Sequence, residues 1–242
     1  MGQHIRLGML TPSSNTVLEP ITQAMVVGLP GVSAHFSRFR VTEISLDLPA
    51  LGQFENTALV EAAQLLADAK VDVIAWNGTS AGWLGFEQDH ELCRQITAAT
   101  GIPATTSVLA LQEIFLAQNI TQFGLATPYT HDVQTKVTEN FAQQGFQCIA
   151  EQHLSLRVNY SFAEVDAEKI SAMVYQLARA QPQAITTFCT NLRAAPLVAE
   201  LENDIGIPIF DTVTVAVWKS LRLAGVDTTL VKGWGSLFAN LP

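Results

Sequence analysis

Ile185-Thr186-Thr187-Phe188-Cys189-Thr190-Asn191-Leu192-Arg193 is a β-prone run that ends in a thiol. Small polar residues follow, and then a helical pattern from Leu197 to Glu202. That order reads as strand, turn, helix, with a cysteine on the turn. A thiol there can meet free backbone N–H groups and the positive end of a helix dipole, a setting that favours thiolate and binds anions. A lone cysteine is more often a small buried hydrophobe, so the neighbouring chain has to decide between the two.

The same pattern occurs twice. Val71–Ser80 (VDVIAWNGTS) is the counterpart of Ala184–Asn191 (AITTFCTN). Each is followed by a Gly-Ile-Pro turn, Gly101-Ile102-Pro103 and Gly206-Ile207-Pro208, with Gly after a helix and Pro at a strand start. Upstream, Leu7-Gly8-Met9-Leu10-Thr11-Pro12 is matched by Phe123-Gly124-Leu125-Ala126-Thr127-Pro128. Downstream, Thr106–Leu111 is matched by Thr212–Val217. The blocks keep their order over nearly the whole chain, the signature of an internal repeat.

Strands are expected at Ile5–Leu10, Val32–Phe39, Val71–Trp76, Pro103–Thr106, Phe123–Ala126, Phe146–Glu151, Ala184–Phe188 and Ile207–Phe210. Helices are expected at Thr16–Val27, Asn56–Ala69, Glu87–Thr100, Val108–Gln118, His131–Gln144, Ala163–Arg179, Ala195–Glu202 and Val213–Leu223. The alternation specifies an α/β fold with mostly parallel sheets, and near-continuous apolar runs such as VDVIAW fit strands covered on both faces. The repeat specifies two pseudosymmetric halves: residues 1–112, to which 218–242 return, and residues 113–217. Ligands of open parallel sheets sit beyond the carboxyl ends of the strands. Both Thr-Pro turns, the Asn77–Ser80 turn and the Cys189 turn lie at such ends, so the active site is expected in the cleft between the halves.

The 242 residues are 48% hydrophobic and 14% charged, enough to bury a substantial core. A net charge of -9 without any Lys/Arg run argues against nucleic acid and membrane surfaces as partners. No spanning-length apolar stretch and no signal-peptide pattern are present. Cys93, Cys148 and Cys189 are far apart and lack C-x-x-C spacing, which points away from disulfides and toward a cytoplasmic protein. The histidines have no metal-ligand spacing, and no G-x-G-x-x-G, P-loop or G-x-S-x-G is found. No metal and no other cofactor is expected. Asp89-His90 reads as solvated helix surface.

The turns themselves suggest a chemistry. Asn77-Gly78-Thr79-Ser80 carries N–H and O–H donors able to hold a carboxylate or a developing enolate. Thr11-Pro12-Ser13-Ser14-Asn15 offers the same from the other side, with Asn15 at a helix cap. One thiol among many anion donors suits formation and protonation of a carbanion or enolate beside a carboxylate. Trp83, Leu84 and Phe86, just after the first donor turn, either line an apolar pocket or pack as core.

Several of these stretches resemble the aspartate/glutamate racemase superfamily, and within it the branch of maleate cis-trans isomerase and arylmalonate decarboxylase. They are Thr11-Pro12-Ser13-Ser14-Asn15-Thr16, Gly78-Thr79-Ser80, Thr127-Pro128-Tyr129, Cys189–Arg193 and Val217–Gly225. The resemblance covers essentially the whole chain and implies two Rossmann-like halves. Isomerases and racemases of this group use two cysteines, one per half. The second matches Cys189; the first falls on Gly78 and is absent. Gly-Thr-Ser in the first half and a single cysteine in the second is the arylmalonate decarboxylase arrangement.

Carried over, the resemblance implies Cys189 as proton donor and Gly78, Thr79, Ser80 and Tyr129 as a dioxyanion hole, aided by backbone N–H groups near Thr190. Asn15 and Asn159 match positions that hold carboxylates in maleate isomerase. Pro12, Ser13 and Asn191 complete the expected substrate-binding set. Thr-Asn-Leu-Arg after the cysteine, and Ser13-Ser14-Asn15, are isomerase-like. The implied function is a cofactor-independent decarboxylase of a disubstituted, aryl-bearing malonate. The alternatives are a maleate isomerase or racemase-type enzyme, and a non-catalytic dicarboxylate-binding relative. The expected partner is a small carboxylate or dicarboxylate, and a homo-oligomer is left open.

Overall fold

Leu7, Met9 and Leu10 have no solvent exposure, and neither do Val73, Ile74 and Ala75. Strands apolar on both faces have to be covered on both sides, and that requirement organises the molecule. The computed structural model describes residues 4–241. In chain order the first half contains β1 (Ile5–Pro12), α1 (Leu18–Val26), β2 (Val32–Phe39) and α2 (Leu48–Leu51). It continues with α3 (Asn56–Asp68), β3 (Val73–Trp76), α4 (Ala81–Leu84), α5 (Phe86–Thr100), β4 (Ala104–Thr106) and α6 (Ser107–Ala117). The second half contains β5 (Gln122–Thr127), α7 (His131–Gln143), β6 (Gln147–His153), α8 (Asn159–Phe162) and α9 (Ala167–Ala178). It ends with β7 (Ala184–Thr187), α10 (Val198–Ile205), β8 (Ile209–Asp211), α11 (Thr212–Leu223) and α12 (Leu237–Asn240).

Two four-stranded sheets result, in the orders β2-β1-β3-β4 and β6-β5-β7-β8. All pairings are parallel. The two orders are the same when the second is counted from β5, so the sequence repeat is a structural repeat. The registers make the equivalence residue by residue. Trp76 pairs with Thr106 at the end of β3–β4, and Thr187 pairs with Asp211 at the end of β7–β8. The outer strand β6 alternates exposed and half-buried residues, as a solvent-facing edge does.

The eight strands lie where the sequence puts them, within a few residues. The helix expected over 163–179 starts four residues later, at Ala167, because Asp166 caps α9: its Oδ1 accepts the Lys169 N–H at 2.6 Å. The helix expected from Ala195 begins as a 3-10 turn containing Pro196 and runs on to Ile205. Gly101 and Gly206 terminate α5 and α10 at φ 71° and 69°, the left-handed conformation for which glycine is suited. The stretch 40–55, given no element from sequence, forms α2 and a 3-10 turn, Gly52–Phe54.

The halves exchange helices. Phe115 of α6 packs its ring 5.3 Å from Phe123 of β5 and 6.2 Å from Phe210 of β8, inside the second half. Conversely, α11 packs on α1, β3 and β4 of the first half and against α6. The expected divisions at 112/113 and 217/218 therefore fall inside two helices that cross between halves. Residues 1–3 and 242 of those spans lie outside the described residues. One apolar cluster runs through both halves, and a smaller one lies beneath α9 and α10. No helix of the described residues is long and apolar enough to cross a membrane.

Candidate functional site

Beyond the carboxyl ends of β1, β3, β5 and β7 lies a cavity of about 20 Å³, room for about one water molecule. Its wall brings together Pro12, Gly78, Thr79, Tyr129, Asn159, Cys189 and Thr190 with Val41, Ile44, Phe54, Trp76 and Trp83. Four turns separated widely in sequence converge here because each follows a strand of one of the two parallel sheets.

Thr79 and Tyr129, one from each half, share a 2.6 Å hydrogen bond between their hydroxyls. The Tyr129 ring is held edge-on by Trp83 at 5.4 Å and Phe162 at 5.7 Å. The Tyr129 hydroxyl and the backbone N–H groups of Asn191 and Leu192 lie near the Cys189 sulfur and favour its ionised form. These are the anion donors expected of the turn, yet they do not make a thiolate. Burial pushes the Cys189 thiol up to about 12, overriding those donors, and the nearby Asp211 carboxylate adds to the rise. Cys189 is 3% exposed. At neutral pH its sulfur carries a proton. Burial first, and then the negative charge that Cys189 would carry as a thiolate, push the Tyr129 hydroxyl well above its ordinary value.

Of the other residues expected from sequence, Asn15, Asn191 and Ser80 are buried one layer behind the wall, and Ser13 lies at the surface. Asn15 Oδ1 accepts the N–H groups of Val17 and Leu18, capping the turn into α1, while its Nδ2 donates to Thr190 Oγ1 at 3.2 Å. Thr190 in turn donates to the Asn77 carbonyl at 3.0 Å. Asn191 accepts the Thr16 N–H and donates to the Asn159 carbonyl at 2.6 Å. Ser80 accepts the Trp76 indole N–H at 3.3 Å. Ser13 is exposed, and its hydroxyl bonds the backbone of Val41 in both directions. These groups tie the halves together and fix the turns.

Residues of the 40–55 stretch close the cavity. Residues 42–44 run antiparallel to 157–159: Ile44 N donates to the Arg157 carbonyl at 2.9 Å and Asn159 N to the Thr42 carbonyl at 3.0 Å. The Arg157 guanidinium pairs with Glu43 and Asp47. Asn159 reaches back to Ser14 Oγ at 2.9 Å, and Ser14 donates to the Val41 carbonyl. Val41, Ile44 and Phe54 supply the apolar roof. Sequence reasoning missed them, although a long stretch without assigned structure between two regular elements is itself a mark of a functional loop.

Trp76 was missed as well. It is 1% exposed, packs on Phe39 at 5.0 Å and lies across Gly78. A Cβ built on Gly78 would fall among the indole atoms Cζ2, Cε2 and Cη2 of Trp76. Of the aromatic trio after the donor turn, Trp83 lines the cavity while Phe86 packs into the core, 5.1 Å from Phe141.

Asp89 is not solvated surface. It is 2% exposed, its Oδ2 has no hydrogen-bond partner among the described residues, and burial raises its carboxyl to about 7. The α5 face that carries it is covered by neighbouring elements, which helical spacing alone does not reveal. Cys93 and Cys148 are half-buried, and burial raises both thiols to about 12. Among the described residues no three His, Cys, Asp or Glu side chains cluster so as to hold a metal ion.

Known proteins share this fold. A family model described as arylmalonate decarboxylase matches residues 51–238. The maleate isomerase of Geobacillus stearothermophilus is 24% identical over 253 residues, covering 99% of this chain and 99% of its own. The arylmalonate decarboxylase of Bordetella bronchiseptica is 23% identical over 235 residues, covering 96% of this chain and 95% of its own. Among solved structures, a cysteine-to-serine mutant of Nocardia farcinica maleate cis-trans isomerase carries a covalently bound succinylcysteine intermediate. It matches with a TM-score of 0.90 at 23% identity, over 98% of this chain and 99% of that one. The matched span takes in Gly78, Thr79, Tyr129, Asn159, Cys189 and Thr190, the converging turns of the cavity, and the chain belongs to the arylmalonate decarboxylase family of enzymes.

Proposed function

We propose that the chain is a cofactor-independent decarboxylase of a disubstituted, aryl-bearing malonate. The observation that carries this reading is a single protonated thiol, Cys189, on a cavity wall that also holds the Thr79–Tyr129 hydroxyl pair. One substrate carboxylate is held by the donors of the Gly78–Thr79 turn and Tyr129. The second lies against Val41, Ile44, Phe54 and Trp83, where an apolar surround raises the energy of a carboxylate and favours its loss as carbon dioxide. The electron pair of the broken C–C bond becomes the enediolate, whose oxygens take the hydroxyl and N–H donors. Cys189 delivers its proton to the α-carbon, and the electrons of the S–H bond stay on sulfur. The thiolate formed is held by Tyr129 and the N–H groups of Asn191 and Leu192 until water returns a proton. Net, one proton is consumed and one carbon dioxide released. A thiol with a pKa near 12 is suited to that step and is a weak nucleophile at neutral pH.

A second reading, isomerisation of maleate, is favoured by the relatives, which include maleate isomerases from Geobacillus stearothermophilus, Nocardia farcinica and Pseudomonas putida. Purified protein without added metal or cofactor, incubated with phenylmalonate, methylphenylmalonate and maleate, separates the two. The expected result is carbon dioxide release from a malonate, reduced at least about a thousand-fold in Cys189→Ala. Conversion of maleate to fumarate, with the malonates untouched, would overturn the decarboxylase reading. Tight dicarboxylate binding without turnover would favour a non-catalytic relative.

A further inference from the structure

The two halves provide an internal comparison. Register equates Trp76 with Thr187, since each closes its strand opposite the equivalent residue of the next, Thr106 and Asp211. Two residues on, Gly78 is therefore equivalent to Cys189. In the second half the small Thr187 side chain turns away, donating to Asp211 Oδ2 at 2.8 Å, and leaves room for the Cys189 side chain. In the first half the Trp76 indole occupies the space that any side chain on residue 78 would need. It is held there by Phe39 on one side and by its N–H bond to Ser80.

We infer that Trp76 determines the specificity of the site by filling the position of a first-half acid–base group, so that protons reach the reacting carbon from the Cys189 side alone. This rests on the decarboxylase reading for its chemistry but not for its packing. It follows that the missing first thiol is not one substitution away. A cysteine at residue 78 has no space until Trp76 is reduced, and the face it would occupy is now aromatic carbon. The product is then of one hand, set by which α-substituent lies against the indole.

The test compares Gly78→Ala and Gly78→Cys, each alone and combined with Trp76→Leu, which keeps apolar volume where Trp76→Thr would leave a larger void. Thermal unfolding needs no substrate. Overpacking against a fixed indole should lower the Tm of Gly78→Ala by roughly 5 °C or more, and Trp76→Leu should recover most of that loss in the double variant. Additive Tm changes, or an unchanged Tm in Gly78→Ala, would overturn the inference. With methylphenylmalonate, Gly78→Cys alone should give product of unchanged optical purity at no more than about a tenth of the native rate. Trp76→Leu/Gly78→Cys should give both hands and exchange the product's α-hydrogen with deuterated water at least about ten-fold faster than the native protein. Racemic product from Gly78→Cys alone would also overturn it. Absence of carbon dioxide release by the native protein from any malonate would sink the decarboxylase reading, while the Tm cycle would still decide the role of Trp76.

Discussion

At the scale of single residues, burial decides what each titratable group is. Cys189 sits among donors that would normally lower its pKa, and removal from water outweighs them. Asp89 and Asp211 are both raised to about 7, chiefly by burial. Asp211 retains partners, accepting from Thr187 and from the Val213 and Thr214 N–H groups. Asp89 has one orphaned oxygen, so it is the cleaner test. Its folded pKa lies above its unfolded value near 3.8, so its contribution is fully present below about pH 4 and lost as pH rises to about 7. Asp89→Asn should therefore become progressively more stable than the native chain between pH 4 and pH 7, by up to roughly 4 kcal/mol, and level off above. Urea midpoints at several pH values measure this; a difference independent of pH would show that Asp89 is ionised throughout. The thiol and the donor turns were legible as residue types in sequence. Their protonation states were not, because desolvation depends on neighbours remote along the chain.

At the scale of elements, the segment from Val41 to Phe54 covers the site, with Val41, Ile44 and Phe54 on the cavity wall. The cavity beneath it, about 20 Å³, holds about one water molecule, so under the proposed function the segment is expected to lift when a malonate enters. It is joined to the second half by the backbone bridge of 42–44 with 157–159 and by the exposed pairs of Arg157 with Glu43 and Asp47. Exposed ion pairs are weak and screened by salt. Arg157→Ala should therefore change the KM or the substrate on-rate only a few-fold, leave kcat for a bound substrate within about two-fold, and abolish most of the salt dependence of KM. Steady-state kinetics at low and high ionic strength read this out, and a kcat loss above ten-fold would place Arg157 in the chemistry instead. The strands and long helices of the repeat were readable from alternating patterns. The covering segment was not, because its apolar residues follow no helical or strand period and face a surface provided by other elements.

At the scale of the whole molecule, the exchange of α6 and α11 makes each half complete only with the other. Phe115, fully buried, lies on the first half's last helix but packs with Phe123, Phe141, Phe146 and Phe210 of the second. Phe115→Ala should cost about 3–5 kcal/mol. The unfolding curves from tryptophan fluorescence and far-ultraviolet circular dichroism should shift together and remain coincident. Two separated transitions would show that the halves are independent despite the exchange. The polar links Asn15–Thr190–Asn77 and Thr16–Asn191–Asn159 join the same halves around the site, so cooperativity and site geometry share one interface.

The amino-acid sequence by itself determined the α/β class, the parallel strands, the duplication and the placing of Thr79, Tyr129 and Cys189 at strand ends. Those follow from local pattern: apolar runs, strand–turn–helix order and Gly-Ile-Pro punctuation recur in register and survive without knowledge of contacts. Only the tertiary structure decided that Asn15, Ser80 and Asn191 stand behind the wall and Ser13 at the surface rather than on it, and that Asp89 is buried. It also decided that the Cys189 proton is retained and that Trp76 takes the space beside Gly78. Each of these depends on which distant groups share a volume from which water is excluded, and no local pattern in the chain encodes that.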